Sequence, residues 1–212
     1  MSAPGAMVGI DTSTKSTSVA VVVPGGREVE RRDDPGPQER PRHAETLQPL
    51  LERALEQAEV GWEDVGRICV GIGPGGFTGL RLGIATARAL AQGHDLEIVG
   101  ISSLEALARG IELVNMHELN LPGDPDLHGP VLALIDARRG EVYAASFRHH
   151  RTTMEPTAIT PPSWRSAWPR GASGGARRCW PSETGRYAFV RSSSGPEWRC
   201  RPTVPTPTAS AL

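Results

Sequence analysis

The sequence predicts an α/β protein built on a mixed β-sheet flanked by helices, and three observations predict it. Apolar runs of strand length alternate with longer amphipathic runs of helix length. The first three strand-like runs follow one another through tight turns, as a meander, whereas later ones are separated by helices, as crossovers. The most constrained passage, Gly71 to Arg81, joins a strand-like run to a helix-like run through five glycines and a proline.

Taken in order, Met1 to Ala6 is expected to be an upstream start or a disordered lead. Met7 to Ile10 reads as an apolar strand ending in Asp11-Thr12-Ser13-Thr14-Lys15-Ser16-Thr17, and Ser18 to Val23 as a valine-rich strand that returns beside it. Pro24-Gly25-Gly26 turns the chain into a third, more exposed strand, Arg27 to Arg32, and Asp33 to Pro41 is a polar connection. From His43 to Glu59, Ala44, Leu47, Leu50, Leu51, Ala54, Leu55 and Ala58 recur at helical spacing, with Pro49 placed to kink or delay the helix. Arg67 to Ile72 suits a buried strand, and Leu80 to Gln92 a helix that stops at Gly93. Glu97 to Ile101 is a further strand, after which Ser102 and Glu105 form a capping box for a helix from Ser103 to about Arg109. Residues 110–129 read as a domain junction, within which Ile111 to Leu119 is compatible with helix. Val131 to Ile135, the turn Ala137-Arg138-Arg139-Gly140 and the strand Glu141 to Phe147 then open a second sheet.

The glycine-rich junction has three readings. Gly71, Gly73 and Gly76 meet the dinucleotide spacing G-x-G-x-x-G, but the acidic residue that should end the next strand is missing, since Glu97 precedes that strand. A phosphate loop needs Gly-Lys before Ser or Thr, and this chain has Gly76-Phe77-Thr78 instead. The third reading is a tight turn whose glycines only permit close packing. In the following helix Gly79, Gly83, Ala87 and Ala91 fall every fourth residue and make one smooth stripe. A helix so apolar must be covered on more than one side, by its own domain or by another chain.

Composition narrows the function classes. The net charge of -1 conceals an asymmetry, because residues 1–162 carry 15 Lys and Arg against 22 Asp and Glu while residues 163–212 carry 8 against 2. An acidic body does not present the basic face of a general nucleic-acid binder. Cys69, Cys179 and Cys200 show neither metal spacing nor a disulfide framework. With no signal peptide and no membrane-length apolar run, a cytoplasmic protein is expected.

Residues 163–212 hold eight Arg, eight Ser, six Pro and four of the five Trp, yet only four Leu, Val and Phe together and no Asp, Lys, Ile or Met. That is too little apolar surface for a core. Disordered segments are usually poor in Trp and Cys, and Arg, Trp, Cys, Ser, Pro and Gly together are what a G+C-rich reading frame yields out of register. A frameshift near Pro161 or Pro162 is therefore expected, with a disordered tail as one rival and an Arg/Trp tail that binds RNA as another.

Four ordered segments carry a family resemblance: Ile10-Asp11-Thr12-Ser13, the run from Gly73 to Gly83, Gly100-Ile101-Ser102-Ser103-Leu104, and Ile135-Asp136-Ala137-Arg138 with Gly140-Glu141-Val142-Tyr143. Over roughly Met7 to Arg148 the chain resembles the TsaB (YeaZ) family, which serves formation of threonylcarbamoyladenosine in transfer RNA. The resemblance implies an actin-like (ASKHA, RNase H-like) fold of two lobes, with the first over residues 7–110, the start of an incomplete second over 130–162, and the tail outside both. It implies a non-catalytic partner of the transferase TsaD, joined by the ATPase TsaE, with self-association through the same helical surface and transfer RNA met only through the complex. A Gly76 stands where the family usually has Ser.

The partner-binding candidates are then Gly73, Pro74, Gly75, Phe77, Thr78, Gly79, Arg81, Gly83 and Ala87, with the small-residue stripe as docking face. No cofactor is firmly implied, and ATP or ADP with magnesium enters at the level of the complex, with Asp11, Thr12 and Ser13 as nucleotide-binding candidates. Asp11 has a plainer role open to it, closing the hairpin by accepting from the N–H groups of Ser13 and Thr14. Arg138 and Glu141 are placed to pair across their hairpin or to meet the partner. The alternative is a metal-dependent glycopeptidase-like hydrolase. It would need two histidines four apart on the first helix, where His43 is followed by Leu47, and the pair His149-His150 lacks a third ligand.

Overall fold

The computed structural model describes residues 5–36, 38–117, 131–138, 141–148, 151–159, 186–191 and 198–201. Two compact units divide the chain, Met1–Ser103 and Leu104–Leu212. The break falls after the first residue of the helix that the sequence reading assigned to the first lobe, so all but that residue of the helix counts with the second unit.

In the first unit, strands β1 (Ala6–Asp11), β2 (Thr17–Val22) and β3 (Glu28–Asp33) form an antiparallel meander. Strands β4 (Val65–Gly73) and β5 (Glu97–Ser102) then add in parallel, giving the order β3-β2-β1-β4-β5. The turn after β2 closes as expected, with Gly25 at φ 67° and the Gly26 N–H donating to the Val23 carbonyl at 2.9 Å. Ala6 belongs to β1, so the ordered chain starts before Met7.

Every second residue of β1 and β2 is buried, which is the signature of one covered sheet face. Val8, Ile10, Val19, Val21, Ile68 and Val70 share a core with Leu47, Leu50, Leu51, Ala54 and Leu55 of helix α1 (His43–Ala58) and with Ala87 and Ala91 of helix α2 (Phe77–His94). Pro49 does not break α1. It and Glu45, whose carbonyl it leaves without an N–H, both lie on the exposed side, where that carbonyl is open to solvent.

Helix α2 begins at Phe77, earlier than the sequence reading placed it, and passes through Gly93. It ends at Asp95, which takes the left-handed φ of 53° and donates its N–H to the Ala91 carbonyl. The glycine stop expected at Gly93 is not used: the chain stays helical through His94, and Asp95 takes the left-handed cap instead.

In the second unit, helix α3 (Ser103–His117) runs well past Arg109. Its Leu104 and Ala108 pack with Val131, Ala133, Ile135, Ala145 and Phe147 from strands β6 (Val131–Arg138) and β7 (Glu141–Arg148). Strand β8 (Arg151–Ile159) follows, and β9 (Arg186–Arg191) and β10 (Trp198–Arg201) complete an antiparallel sheet in the order β10-β9-β6-β7-β8. Strand β8 carries no alternation because all but its last residue are exposed, so the sequence offered no periodic signal for it.

The tail thus contributes two strands, β9 and β10, to a sheet of which the sequence reading had only β6 and β7. Other residues of 163–212, Cys179 among them, lie outside the described residues. So do His149-His150, the side chain of Arg138 and therefore its expected pairing with Glu141, and Pro122-Gly123-Asp124-Pro125 of the expected junction.

Candidate functional site

The turn between β1 and β2 is held from three directions. Its Asp11 Oδ1 accepts the Ser13 N–H at 2.7 Å, an Asx closure of the kind expected of this aspartate. From β4, Gly71 sits so close that a Cβ there would come within 2.9 Å of the same oxygen. From the loop before α2, the Gly76 N–H donates to the Ser13 carbonyl at 2.6 Å. From α2 itself, the Gly79 carbonyl accepts the Thr12 hydroxyl at 2.7 Å.

These contacts explain the glycines. A Cβ at Gly75 would collide with the Ser13 carbonyl, one at Gly79 with the Thr12 carbonyl, and one at Gly83 with the Thr12 hydroxyl. Gly73, at φ 99° and joined to Pro74 by a cis peptide, turns the chain from β4 into this loop. The Gly76 amide at the helix start, which would serve an anion in a phosphate-binding loop, is taken by the chain's own turn. Close packing, the third reading of the junction, is the one realised.

The small-residue stripe therefore faces inward, and its expected role as docking face is corrected. Gly79, Gly83, Ala87 and Ala91 are the buried residues of α2, because only residues this small let the helix axis lie directly on the turn and sheet. The outward flank of α2 consists of Phe77, Thr78, Arg81, Ala85, Arg88 and Ala89, all exposed. Phe77 is 72% exposed, and the Arg81 guanidinium lies over its ring at 5.2 Å. Pro74 and Gly75 are half-buried beside it. The outward face of α1 is mainly acidic, with Glu45, Glu52 and Glu56 exposed beside Arg53.

Thr12 and Ser13, two of the nucleotide candidates, are almost fully buried, while Asp11 is partly exposed. The hydroxyls of Ser13 and Thr14 are buried without a hydrogen-bond partner among the described residues.

His43 opens α1 and is 7% exposed. Its Nδ1 lies 2.9 Å from the Thr17 hydroxyl, and the Thr14 backbone in the turn is near enough to favour the charged ring. The Thr46 hydroxyl, one turn along α1, lies 3.1 Å from that of Thr17. Burial lowers the imidazole pKa below its ordinary value, against smaller opposing contributions from the Thr14 backbone, Asp11 and Asp33. The ring is thus engaged with the turn and with β2. No cluster of three or more His, Cys, Asp or Glu able to hold a metal occurs among the described residues.

Sequence reasoning missed this threonine–histidine network, although a signal existed. Thr17 shares the inward parity of Val19 and Val21, so a hydroxyl was bound to enter the core and need a partner there. It also missed that Ile72, near the end of the interior strand β4 that it read as buried, and Ile98, on the edge strand β5, are both exposed.

Comparison with known proteins fits these geometric results. A family model described as TsaD, tRNA N6-adenosine threonylcarbamoyltransferase, matches residues 37–161. The tRNA threonylcarbamoyladenosine biosynthesis protein TsaB of Escherichia coli K12 is 34% identical over 142 residues, which are 67% of this chain and 54% of that protein. The chain belongs to the TsaB (YeaZ) branch of this family. The protein of the same name from Haemophilus influenzae is 32% identical, over 65% of this chain and 51% of that one. The structure of YeaZ from Pseudomonas aeruginosa superposes with a TM-score of 0.60 at 28% identity, over 74% of this chain and 68% of the other. TsaB family membership places the mixed first sheet and the flanking helices described above in the actin-like α/β class. The chain spans about half the length of the curated relatives it matches.

Proposed function

We propose that this chain is a non-catalytic partner subunit of a TsaD-type threonylcarbamoyl transferase in the formation of N6-threonylcarbamoyladenosine in transfer RNA. Its docking face is the outward flank of α2 together with the neighbouring outward face of α1. The observation that carries the reading is Phe77, an aromatic side chain held in solvent under Arg81 at the head of a helix whose opposite side is locked onto its own lobe. An exposed aromatic with a stacked arginine is the side-chain pair that interfaces use as an anchor. Names of the relatives support the pathway, and the TsaD model match supports the partner. Addition of TsaE, self-association on the same flank, and ATP or ADP with magnesium at the level of the complex belong to the same proposal. Within it Asp11 closes the hairpin, and the buried Thr12 and Ser13 brace it.

Capture of purified TsaD on the immobilised chain tests this. The double variant Phe77→Ala with Arg81→Glu is expected to lose capture by about tenfold or more, because truncating an anchor costs on the order of 2 kcal/mol. Undiminished capture by a folded double variant would remove α2 as the docking element. Gly83→Arg cannot serve as the probe, since its side chain would strike Thr12 and report folding instead.

A further inference from the structure

The buried histidine at the head of α1 has a use that partner docking does not exhaust. His43 stands where four pieces of the first unit meet: the β1–β2 turn, whose Thr14 backbone acts on the ring, β2 through Thr17 at the end of that turn, α1 through Thr46, and α2, where a Cβ on Gly79 would come 3.0 Å from Nε2. With Thr46 donating to Thr17 and Thr17 donating to Nδ1, the neutral ring keeps its proton on Nε2, and the donor chain is complete.

We propose that His43 is a proton-operated latch that holds the β1–β2 turn against the head of α2 while neutral and releases it when charged.

A second proton, taken from solvent, enters at Nδ1. The hydroxyl relay must then reverse, with Nδ1–H donating to Thr17, Thr17 to Thr46, and Thr46 to the Arg42 carbonyl that already lies 3.0 Å from its oxygen. Every hydrogen bond survives this reversal, so the lost contact count does not open the latch. The buried charge does, since an imidazolium gives up its hydration in this position and a neutral imidazole gives up little.

The surrounding charges do not cancel it. Asp11, on β1, is engaged with the Ser13 N–H, and Asp33, on β3, is paired with Arg42 at 2.5 Å. Near His43 in sequence, Arg42 at the N-cap of α1 and Glu45 in its first turn carry opposite charges and are exposed, and the titratable residues of α2 closest in sequence to Gly79, Arg81 and Arg88, are exposed too. Opening the turn rehydrates the ring and frees Gly76 and Gly79, which position the loop and first turn of α2.

Nuclear magnetic resonance on the full chain tests the latch with no partner present, so its outcome is independent of the docking proposal. Titrating the His43 ring signals from pH 8 to 5 is to be paired with hydrogen-exchange protection of the Gly76 amide, expressed relative to intrinsic exchange. Protection of Gly76 is expected to fall as the pH drops below about 6.5, by about tenfold for each unit that burial lowers the ring's titration. In His43→Gln, which offers a donor and an acceptor but no titration, that fall should vanish. Gly76 protection that stays level while the ring titrates in the wild type overturns the proposal, and this reading needs no variant to fold. The same pH-dependent fall persisting in a folded His43→Gln overturns it equally.

Discussion

At the scale of single residues, the β1–β2 turn is a place where atoms rather than side-chain classes decide. Gly83 has no room for a Cβ, because the Thr12 hydroxyl fills the space, and Gly83→Ala is expected to cost about 1–3 kcal/mol in denaturant unfolding. Thr12→Val keeps the shape but removes the hydroxyl that donates to the Gly79 carbonyl from across the turn, for an expected loss of about 1 kcal/mol. His43 makes the acid limb of stability distinctive. Its folded pKa lies below that of the unfolded chain, so the unfolded state binds the proton more readily and stability falls as pH drops below about 6.5. The slope of the unfolding free energy over that window should flatten in His43→Gln. Burial likewise raises the Cys69 thiol pKa, and its alkylation should be slower in the native chain than in urea.

At the scale of elements, α1 and α2 show how far periodicity can be trusted. The spacing of Leu47, Leu51, Ala54 and Ala58 identified both the helix and its buried face, since a leucine stripe has only one favourable direction. The spacing of Gly79, Gly83, Ala87 and Ala91 identified the helix but not the role of its stripe. Small residues suit either a close internal contact or a close external one, and the sequence does not contain the position of Thr12 that chooses between them. Strand β8 illustrates the opposite limit. Both its faces are exposed and it ends the sheet, so nothing in its own residues marks it as strand. Pro156 lies in β8 where pairing with β7 is irregular, and it denies a new strand one N–H. Replacing it by Val is expected to raise self-association, measured by sedimentation velocity at increasing concentration.

At the scale of the whole molecule, each unit carries a core of its own. Leu51 is fully buried in the first, and Leu51→Ala is expected to cost about 2–5 kcal/mol there. Hydrogen exchange should report that loss in residues of Met1–Ser103, and an equal loss across Leu104–Leu212 would show the two to be one cooperative system. For the tail, we propose that family-like sequence gives way near Pro161 or Pro162 to a segment read in another frame. The shift in composition supports this, and so does the end of the family-model match at residue 161. Translation of the coding DNA in the other two frames should continue a strand and helix pattern beyond that point, and its absence in both would refute the frameshift.

What the amino-acid order determined by itself was the set of elements in the first unit, the hairpin turn, the crossovers and hence an α/β fold on a mixed sheet, because alternation, helical spacing and turn residues are local properties that each segment carries with it; the actin-like class came with the family resemblance. The aspartate closure was legible for the same reason, as Asp11 meets Ser13 two residues away. Tertiary structure alone decided that the glycine stripe points inward, that Phe77 and Arg81 point out, and that His43 joins Thr17. Those are contacts between residues 26 to 67 positions apart or choices between two faces of equal local merit. Only packing in three dimensions breaks such a tie.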